Sequence, residues 1–337
     1  MKILIFRETE LKELNPLILE QKGLAGTESS VVCLAQELSK KHIIKVIAPQ
    51  IKQQYFDKVE YIPFQSYIEV IIHIKIFNPD ILIISGNPTI LIEYKFDCKT
   101  IFWQQNHPNE LDFRFPIKSL LKTSLIVAPS PEAATYYNKH YNTNKIVGIY
   151  NGVRNEFFNC TWCPEKNKIL YIGSFSRTKG LSLVLKTAQE LTKYNFYCCG
   201  SFNLYGYTDK QYKKYCETLL ENSKNVFFLG SLNAKKLAKE LCTASVCIAN
   251  PLPENLETCC VSALEAIVVG TPLICGESEI LSNIVSKNFS ITTTNLTQTI
   301  KSYFNKTYSY YHNKNFVKNL NWTSIGYEWE SLLNKLF

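Results

Sequence analysis

The sequence predicts an α/β protein built from two doubly wound, Rossmann-like halves. Three observations carry this expectation. Short apolar, β-like runs alternate with segments of helical period, the pattern of βαβ units on a mainly parallel sheet. The rhythm pauses at a polar, proline-containing stretch and restarts near residue 168. The 337 residues are about enough for two domains by the usual size prior.

The elements follow in order. KILIF (2–6) is the first strand. A polar, irregular stretch leads to GLAGTESS (23–30), and SSVVCLAQELSKK (29–41) has a helical period with Val32, Leu34 and Leu38 on one face. IIKVIAP (43–49), ILIIS (81–85), TIFWQQ (100–105) and SLIVAPS (124–130) continue the strands. SPEAATYY (130–137) is a helix start: Ser130 as N-cap, Pro131 at the first helical position, and Glu132 against the positive end of the dipole. NGVRNEFFNCTWCPEKN (151–167) is the linker candidate. KILYIGSF (168–175) opens the second series, with a helix from about Lys179, then NFYCCG (195–200), a Lys-rich helix at 209–222 and NVFFLGS (225–231). A helix at 233–242, SVCIANP (245–251), a helix at 257–269, TPLICG (271–276) and a terminal helix at 321–337 complete it. The expected domains are 1–155, 156–310 and a helical segment, 311–337, that packs back across both.

Composition excludes several classes. With 46% apolar and 20% charged residues, the chain has ample side chain to bury a core and is not disordered. The net charge of +8, from 37 basic and 29 acidic residues, permits an anionic ligand without indicating nucleic acid. Lysine dominates; Arg7, Arg114, Arg154 and Arg177 are the four arginines. Lys166, Lys168, Arg177, Lys179 and Lys186 fall in one stretch without an acid. Arg7 and the acids after it interrupt any signal-peptide core, and IEVIIHIKIF (68–77) is too short and too charged to span a bilayer. A cytoplasmic protein is expected. The twelve cysteines are then reduced, and Cys33, Cys198, Cys199, Cys242, Cys247 and Cys275 read as small core hydrophobes. Cys160 and Cys163 form one CxxC without a second ligand pair, so they are two loop thiols and no zinc site is expected.

The strongest motif is LETCCVSALEAIVVGTPLI (256–274), in which Glu257 and Glu265 are eight residues apart. On a helix that is about 12 Å of rise, so two carboxylates would meet different parts of one extended ligand. Thr258, Cys259, Cys260 and Val261 would form the first turn, with free amides suited to phosphate. Spacing alone equally allows an ordinary amphipathic helix whose first-turn Glu favours the dipole. No G-x-G-x-x-G follows either first strand, no Walker A segment is present and no Asp-x-Asp occurs. A nicotinamide cofactor and a catalytic metal are therefore not expected.

In context, NPLPENLETCCVSALEAIVVGTPLI resembles the signature of retaining GT-B glycosyltransferases of the group 1, or family 4, type. AGTESSVVCLAQEL (25–38), TIFWQQNHP (100–108), YNGVRNEFF (150–158) and KILYIGSFSRTKGL (168–181) resemble further family segments in the right order. The resemblance implies a GT-B fold: two Rossmann-like domains facing each other across a cleft, acceptor on the first and donor on the second. It implies that Glu257 binds donor-sugar hydroxyls at the reacting face and that Glu265 holds the ribose. The amides of Thr258, Cys259, Cys260 and Val261 would hold the diphosphate, with Lys179 neutralising it. Gly26 and Thr27 would approach the donor from the N-terminal loop, and His107 would lie near the donor sugar. Ser174 lies at the donor loop; Gly200, Ser201, Leu229, Gly230 and Ser231 would lie near the base. Ser174 replaces the family's phosphate-binding Arg, a role Arg177 could take.

The implied function is transfer of a hexose from a UDP- or GDP-sugar to a hydroxyl of a glycan or lipid-linked acceptor, with retention and without a metal. The donor is a substrate, so no cofactor is implied. The alternative is a non-catalytic GT-B subunit that binds a nucleotide or glycan; an epimerase on this fold is disfavoured by the paired glutamates. FRFPIKSLLKTS (113–124) is basic and apolar, read as a helix on the sheet with solvated lysines, or else as a peripheral contact with an anionic membrane.

Overall fold

The computed structural model describes residues 1–107, 120–121, 124–252, 257–286, 290–305 and 313–337. The chain divides into two compact units. Unit 1 comprises Met1–Gln21, Gly26–Gly152 and Trp322–Phe337; unit 2 comprises Lys22–Ala25 and Val153–Asn321.

The strands of unit 1 are β1 (Lys2–Arg7), β2 (Ile43–Ile47), β3 (Gln54–Phe56), β4 (Val59–Ile62), β5 (Ile81–Ser85), β6 (Lys99–Trp103), β7 (Leu125–Ala128) and β8 (Ile146–Gly148). They form one sheet in the order β3-β4-β2-β1-β5-β6-β7-β8, parallel apart from the β3–β4 pair. Helices α1 (Pro16–Lys22), α2 (Gly26–Leu38), α3 (Tyr67–Phe77), α4 (Thr89–Glu93) and α5 (Pro131–Tyr141) connect them. Ile3, Leu4, Ile5 and Phe6 of β1 are fully buried, as a central parallel strand covered on both faces must be.

Unit 2 repeats the plan. Its strands are β9 (Lys168–Ile172), β10 (Asn195–Cys199), β11 (Val226–Gly230), β12 (Val246–Ala249), β13 (Leu273–Gly276) and β14 (Ser290–Thr293), ordered β11-β10-β9-β12-β13-β14 and all parallel. Helices α6 (Asn155–Phe158), α7 (Leu181–Glu190), α8 (Lys210–Glu221), α9 (Ala234–Thr243), α10 (Val261–Val269), α11 (Glu279–Val285), α12 (Leu296–Asn305) and α13 (Lys314–Lys318) accompany them. Ile169, Tyr171, Phe196, Val246, Ile248 and Ile274 meet Leu181, Val184 and Leu185 of α7 in its core.

The last helix, α14 (Trp322–Asn334), belongs to unit 1. Its Trp329 is fully buried edge-on against Trp103 of β6, with ring centroids 5.1 Å apart. Glu330 pairs with Lys41 (2.8 Å) and with His42. Burial pushes the Glu330 carboxyl up, but the hydrogen bonds from Lys41 and His42 outweigh it and leave it below the ordinary range.

The expected caps of α5 are present: the Ser130 hydroxyl accepts from Ala133 N at 3.0 Å, with Pro131 at the first position. IEVIIHIKIF, expected to be too short and too charged to span a bilayer, forms α3, started by the Ser66 hydroxyl, which accepts from Glu69 N, while Glu69 accepts from Gln65 N at 2.9 Å. Three expectations need correction. The polar stretch after β1 contains α1, and a short hairpin, β3–β4, precedes α3. The helix after Lys179 begins at Leu181, behind a 3-10 turn over Arg177–Lys179. The helix expected at 257–269 begins only at Val261. Most of the basic segment 113–124, and Pro253, Glu254, Asn255 and Leu256 of the signature, lie outside the described residues. Among the described residues no helix is long and apolar enough to cross a membrane.

Candidate functional site

In unit 2 the chain runs from β9 outward to β10 and β11, then returns to the other side of β9 as β12. That reversal is a topological switch, and ligands of open α/β sheets bind at the carboxyl ends of the strands there. The residues singled out from sequence in this unit converge on that edge.

The loop after β9 is stitched to its neighbours. Gly173 N donates to Cys199 O (3.1 Å), Phe175 N to Ser201 O (3.0 Å) and Gly200 N to Gly230 O (3.0 Å). Gly200 has φ +149°, and a Cβ there would lie 1.8 Å from the Gly173 carbonyl oxygen. Only glycine lets these two loops approach so closely. Tyr171 is buried beneath the loop, its hydroxyl reaching the carbonyls of Lys179 (2.9 Å) and Ser174 (3.2 Å). Ser174 is itself buried, 3.0 Å from the Ser176 hydroxyl.

Lys179, so placed, forms an ion pair with Glu257. Both are partly buried, with side-chain exposures of 27% and 11%. Glu257 and Thr258 lie in the loop ahead of α10, not in its first turn as expected. Cys260 caps the helix with φ +47°, a conformation that costs a non-glycine residue strain. Its carbonyl accepts from Ala263 N (2.9 Å) and Leu264 N (3.2 Å). The amides of Val261 and Ser262 have no hydrogen-bond partner among the described residues and stand at the positive end of the nine-residue helix. Of the four amides expected at this helix end, that of Val261 is open there, joined by that of Ser262, while Thr258, Cys259 and Cys260 precede the helix. The Glu257–Glu265 spacing is a loop followed by a helix, so the 12 Å helical rise does not apply.

Glu265 lies inside α10, with 8% of its side chain exposed. Burial pushes its carboxyl up to about 7, against the pull of the Arg154 guanidinium, whose Nη2 lies 3.8 Å from Oε1. That is an ion pair beyond hydrogen-bond length, and the carboxylate accepts no hydrogen bond from the described residues. Cys199, Cys247 and Cys275 are buried, and burial raises all three thiols, Cys199 and Cys275 to about 12. They act as small hydrophobes.

Arg177 points elsewhere. Its Nε donates to Asp209 Oδ2 at 3.0 Å, and its guanidinium stacks 5.1 Å from the centre of the Tyr212 ring. Asp209 is the N-cap of α8; the Tyr212 amide, then Arg177, hold its carboxyl below the ordinary range. Leu229 and Gly230 end β11, and Ser231 follows. Beside them Phe175, Phe202 and Phe228 form an aromatic cluster, with centroids 5.3 and 5.0 Å apart. Sequence reasoning missed this cluster, because three phenylalanines in three separate segments carry no joint pattern.

Gly26, Thr27 and His107 belong to unit 1. Gly26 opens α2 with ordinary helical backbone and accepts from the Ser30 hydroxyl (2.7 Å). The glycine in this loop that makes a close approach is Gly23, at φ +70°; a Cβ there would lie 2.3 Å from the Leu232 carbonyl oxygen. His107 ends a fixed turn. Gln105 and Asn151 exchange side-chain amide hydrogen bonds (2.9 and 3.4 Å), and the Tyr137 hydroxyl donates to Asn106 O at 2.6 Å. The His107 ring is buried, 4.9 Å from Tyr136. Among the described residues no group of three or more His, Cys, Asp or Glu side chains could hold a metal ion.

The fold is a two-domain α/β fold with parallel sheets that matches GT-B glycosyltransferase structures. Residues 154–319, just under half of the chain, match the family described as "Glycosyl transferases group 1". The chain therefore carries a group 1 glycosyltransferase domain on unit 2, with sugar transfer as the class of activity. Its fold is similar to that of sucrose-phosphate synthase from Thermosynechococcus elongatus, with a TM-score of 0.81, 14% identity and coverage of 100% and 99% of the two chains. A glycosyltransferase from Rickettsia africae ESF-5 is similar at TM-score 0.69, 14% identity and coverage of 99% and 98%. So is Anabaena HepE in complex with UDP and glucose, at TM-score 0.74, 12% identity and coverage of 99% of each chain. Comparison with curated protein sequences finds no match.

Proposed function

We propose that the protein transfers a hexose from a nucleoside-diphosphate sugar, a UDP- or GDP-sugar, to a hydroxyl of a glycan or lipid-linked acceptor, with retention at the anomeric carbon and without a metal. The observation that carries this reading is the Lys179–Glu257 ion pair at the carboxyl edge of β9, three residues ahead of the open amino end of α10. A diphosphate fits that end through the amides of Val261 and Ser262 and the charge of Lys179. As the diphosphate draws Lys179 to itself, Glu257 is released to accept hydrogen bonds from the sugar. Glu265 accepts from the ribose hydroxyls. Gly200, Ser201, Leu229, Gly230 and Ser231 border the base, with the Phe175–Phe202–Phe228 cluster as an apolar wall. His107 is assigned to the donor sugar.

In the reaction the bond from the anomeric carbon to the diphosphate oxygen breaks. The acceptor oxygen bonds to that carbon on the same face, and the acceptor proton passes to the departing diphosphate. The protein's part is electrostatic: Lys179 and the α10 amides stabilise charge growing on the leaving group. The proposed setting is the cytoplasm, and membrane contact through the 113–124 segment is part of the same proposal.

The test is a panel of UDP-, GDP- and ADP-sugars screened for nucleotide release, followed by NMR of the anomeric centre in the product. Glu257→Ala should lower transfer at least about a hundredfold with an unchanged circular dichroism spectrum; an unchanged rate refutes the assignment. Arg177 favours a second reading. It is engaged with Asp209 and Tyr212 while Ser174 stands at the family's arginine position, a pattern that suits a subunit that binds sugar nucleotide without turning it over. Tight UDP binding with neither transfer nor donor hydrolysis would select that reading.

A further inference from the structure

Arg154 is one of four arginines in a lysine-rich chain, and the transfer chemistry above does not use it. Its guanidinium is nearly buried, with 13% side-chain exposure, and stands 5.7 Å from the centre of the Phe157 ring of α6. Its backbone is anchored by the preceding residue, since Val153 N donates to Leu320 O at 2.7 Å and bridges to Asn321. The side chain is therefore committed to one place, against α10. There it meets Glu265 at 3.8 Å, near enough for charge attraction and too far to use the carboxylate's lone pairs.

We propose that Arg154 is a positioning residue for nucleotide recognition: it favours the ionised form of the buried Glu265 carboxylate without occupying its lone pairs, so that a ligand with two adjacent hydroxyls supplies the missing hydrogen bonds. The proposal rests on the assignment of Glu265 to the ribose. A buried carboxylate without donors is costly and drifts toward its neutral form. The groups that face Glu265 are Arg154, ahead of α6; Glu156, on α6; and the thiols of Cys199 and Cys247, at β10 and β12. Glu156 opposes ionisation and the thiols stay neutral, so Arg154 supplies the favourable charge among them. Burial and Arg154 together set the carboxyl at about 7. Wild-type affinity for the nucleotide should therefore rise with pH through neutrality, as the accepting form of Glu265 fills.

The experiment is calorimetric titration of the full chain with UDP and GDP from pH 6 to 9, comparing wild type, Arg154→Gln, Arg154→Lys and Glu265→Gln. Titration of the nucleotide's own phosphate is common to all four and cancels in the comparison. Arg154→Gln should move the midpoint of the wild-type rise up by about one pH unit, an affinity loss of roughly tenfold at pH 7. The loss should disappear by pH 9. Arg154→Lys, with its ammonium farther from the carboxylate, should give a smaller shift, and Glu265→Gln a weak affinity that keeps only the pH dependence of the nucleotide's own phosphate. A loss of the same factor at every pH would show Arg154 to be merely structural and overturn the proposal. If Arg154→Gln does not fold, an unshifted midpoint in Arg154→Lys overturns it equally. Equal wild-type affinity for UDP and 2′-deoxy-UDP would overturn the ribose assignment, and absence of binding to any nucleoside diphosphate would overturn the proposed function; either takes this proposal with it.

Discussion

Unit 1 and unit 2 each end a parallel sheet at a topological switch, between β1 and β5 in one and between β9 and β12 in the other, yet they treat their charges differently there. At the end of β1, Arg7 Nη2 touches Glu28 Oε1 at 2.6 Å, with exposures of 14% and 3%. Around it the Tyr67 hydroxyl donates to Glu8 (2.6 Å) and accepts from Asn87 (2.9 Å). At the end of β9, Lys179 and Glu257 are more accessible, and the Glu265 carboxyl lies 3.8 Å from the Arg154 guanidinium, beyond hydrogen-bond length. Both edges pair a base with an acid, but the Arg7–Glu28 pair is the more buried, with Arg7 Nε and Glu28 Oε2 left without a hydrogen-bond partner among the described residues, whereas the Lys179–Glu257 pair is more open to solvent. The same fold plan thus buries an ion pair at one edge and leaves one accessible at the other, and on the proposed function the accessible edge is the one that binds.

The largest test of this contrast is Arg7→Met. Stranding Glu28 should cost unit 1 about 3–5 kcal/mol in urea unfolding, and Arg7→Met/Glu28→Leu should recover most of it. A loss of under 1 kcal/mol would break the comparison. Glu265 gives a smaller effect with a definite sign. Its folded pKa, about 7, is above the ordinary glutamate value of 4.5, so the folded state binds the proton more tightly. The stability linked to this group therefore falls as pH rises from about 4.5 through 7. Glu265→Gln should melt near wild type at pH 5 and several degrees higher relative to wild type at pH 8; parallel melting curves would contradict the assigned burial. Lys179→Met should change unfolding free energy by no more than about 1 kcal/mol, while UDP affinity falls at least tenfold. The smallest effect is a control remote from both edges: Ser130→Ala should cost about 1 kcal/mol through the lost cap on α5, with nucleotide affinity unchanged.

Much of this was legible from sequence because both sheets are buried on two faces, so their strands read as unbroken apolar runs such as KILIF, ILIIS and KILYI. The β3–β4 hairpin escaped because its turn, at Asp57 with φ +51°, carries no glycine. Helix α3 escaped because isoleucine on nearly every face hides a helical period: Ile68, Ile72 and Ile76 are exposed while Val70, Ile74 and Phe77 are buried. Within the site, paired glutamates and a lysine were readable as a motif. The late start of α10 was not, since it depends on Cys260 adopting a left-handed conformation that glycine would signal and cysteine conceals. The Arg154–Glu265 contact spans residues too far apart for any spacing rule.

Helix α14 carries a consequence for how the protein is made. Unit 1 draws its sheet from the first half of the chain, but Trp103 of β6 stays uncovered until Trp329 arrives. During translation, most of unit 2 emerges while unit 1 waits with an indole-sized gap on β6. The later-synthesised unit can therefore complete its core before the earlier one. A chain cut before residue 322 would carry a first unit whose β6 lacks its covering helix, leaving Trp103 open to chaperones and proteases.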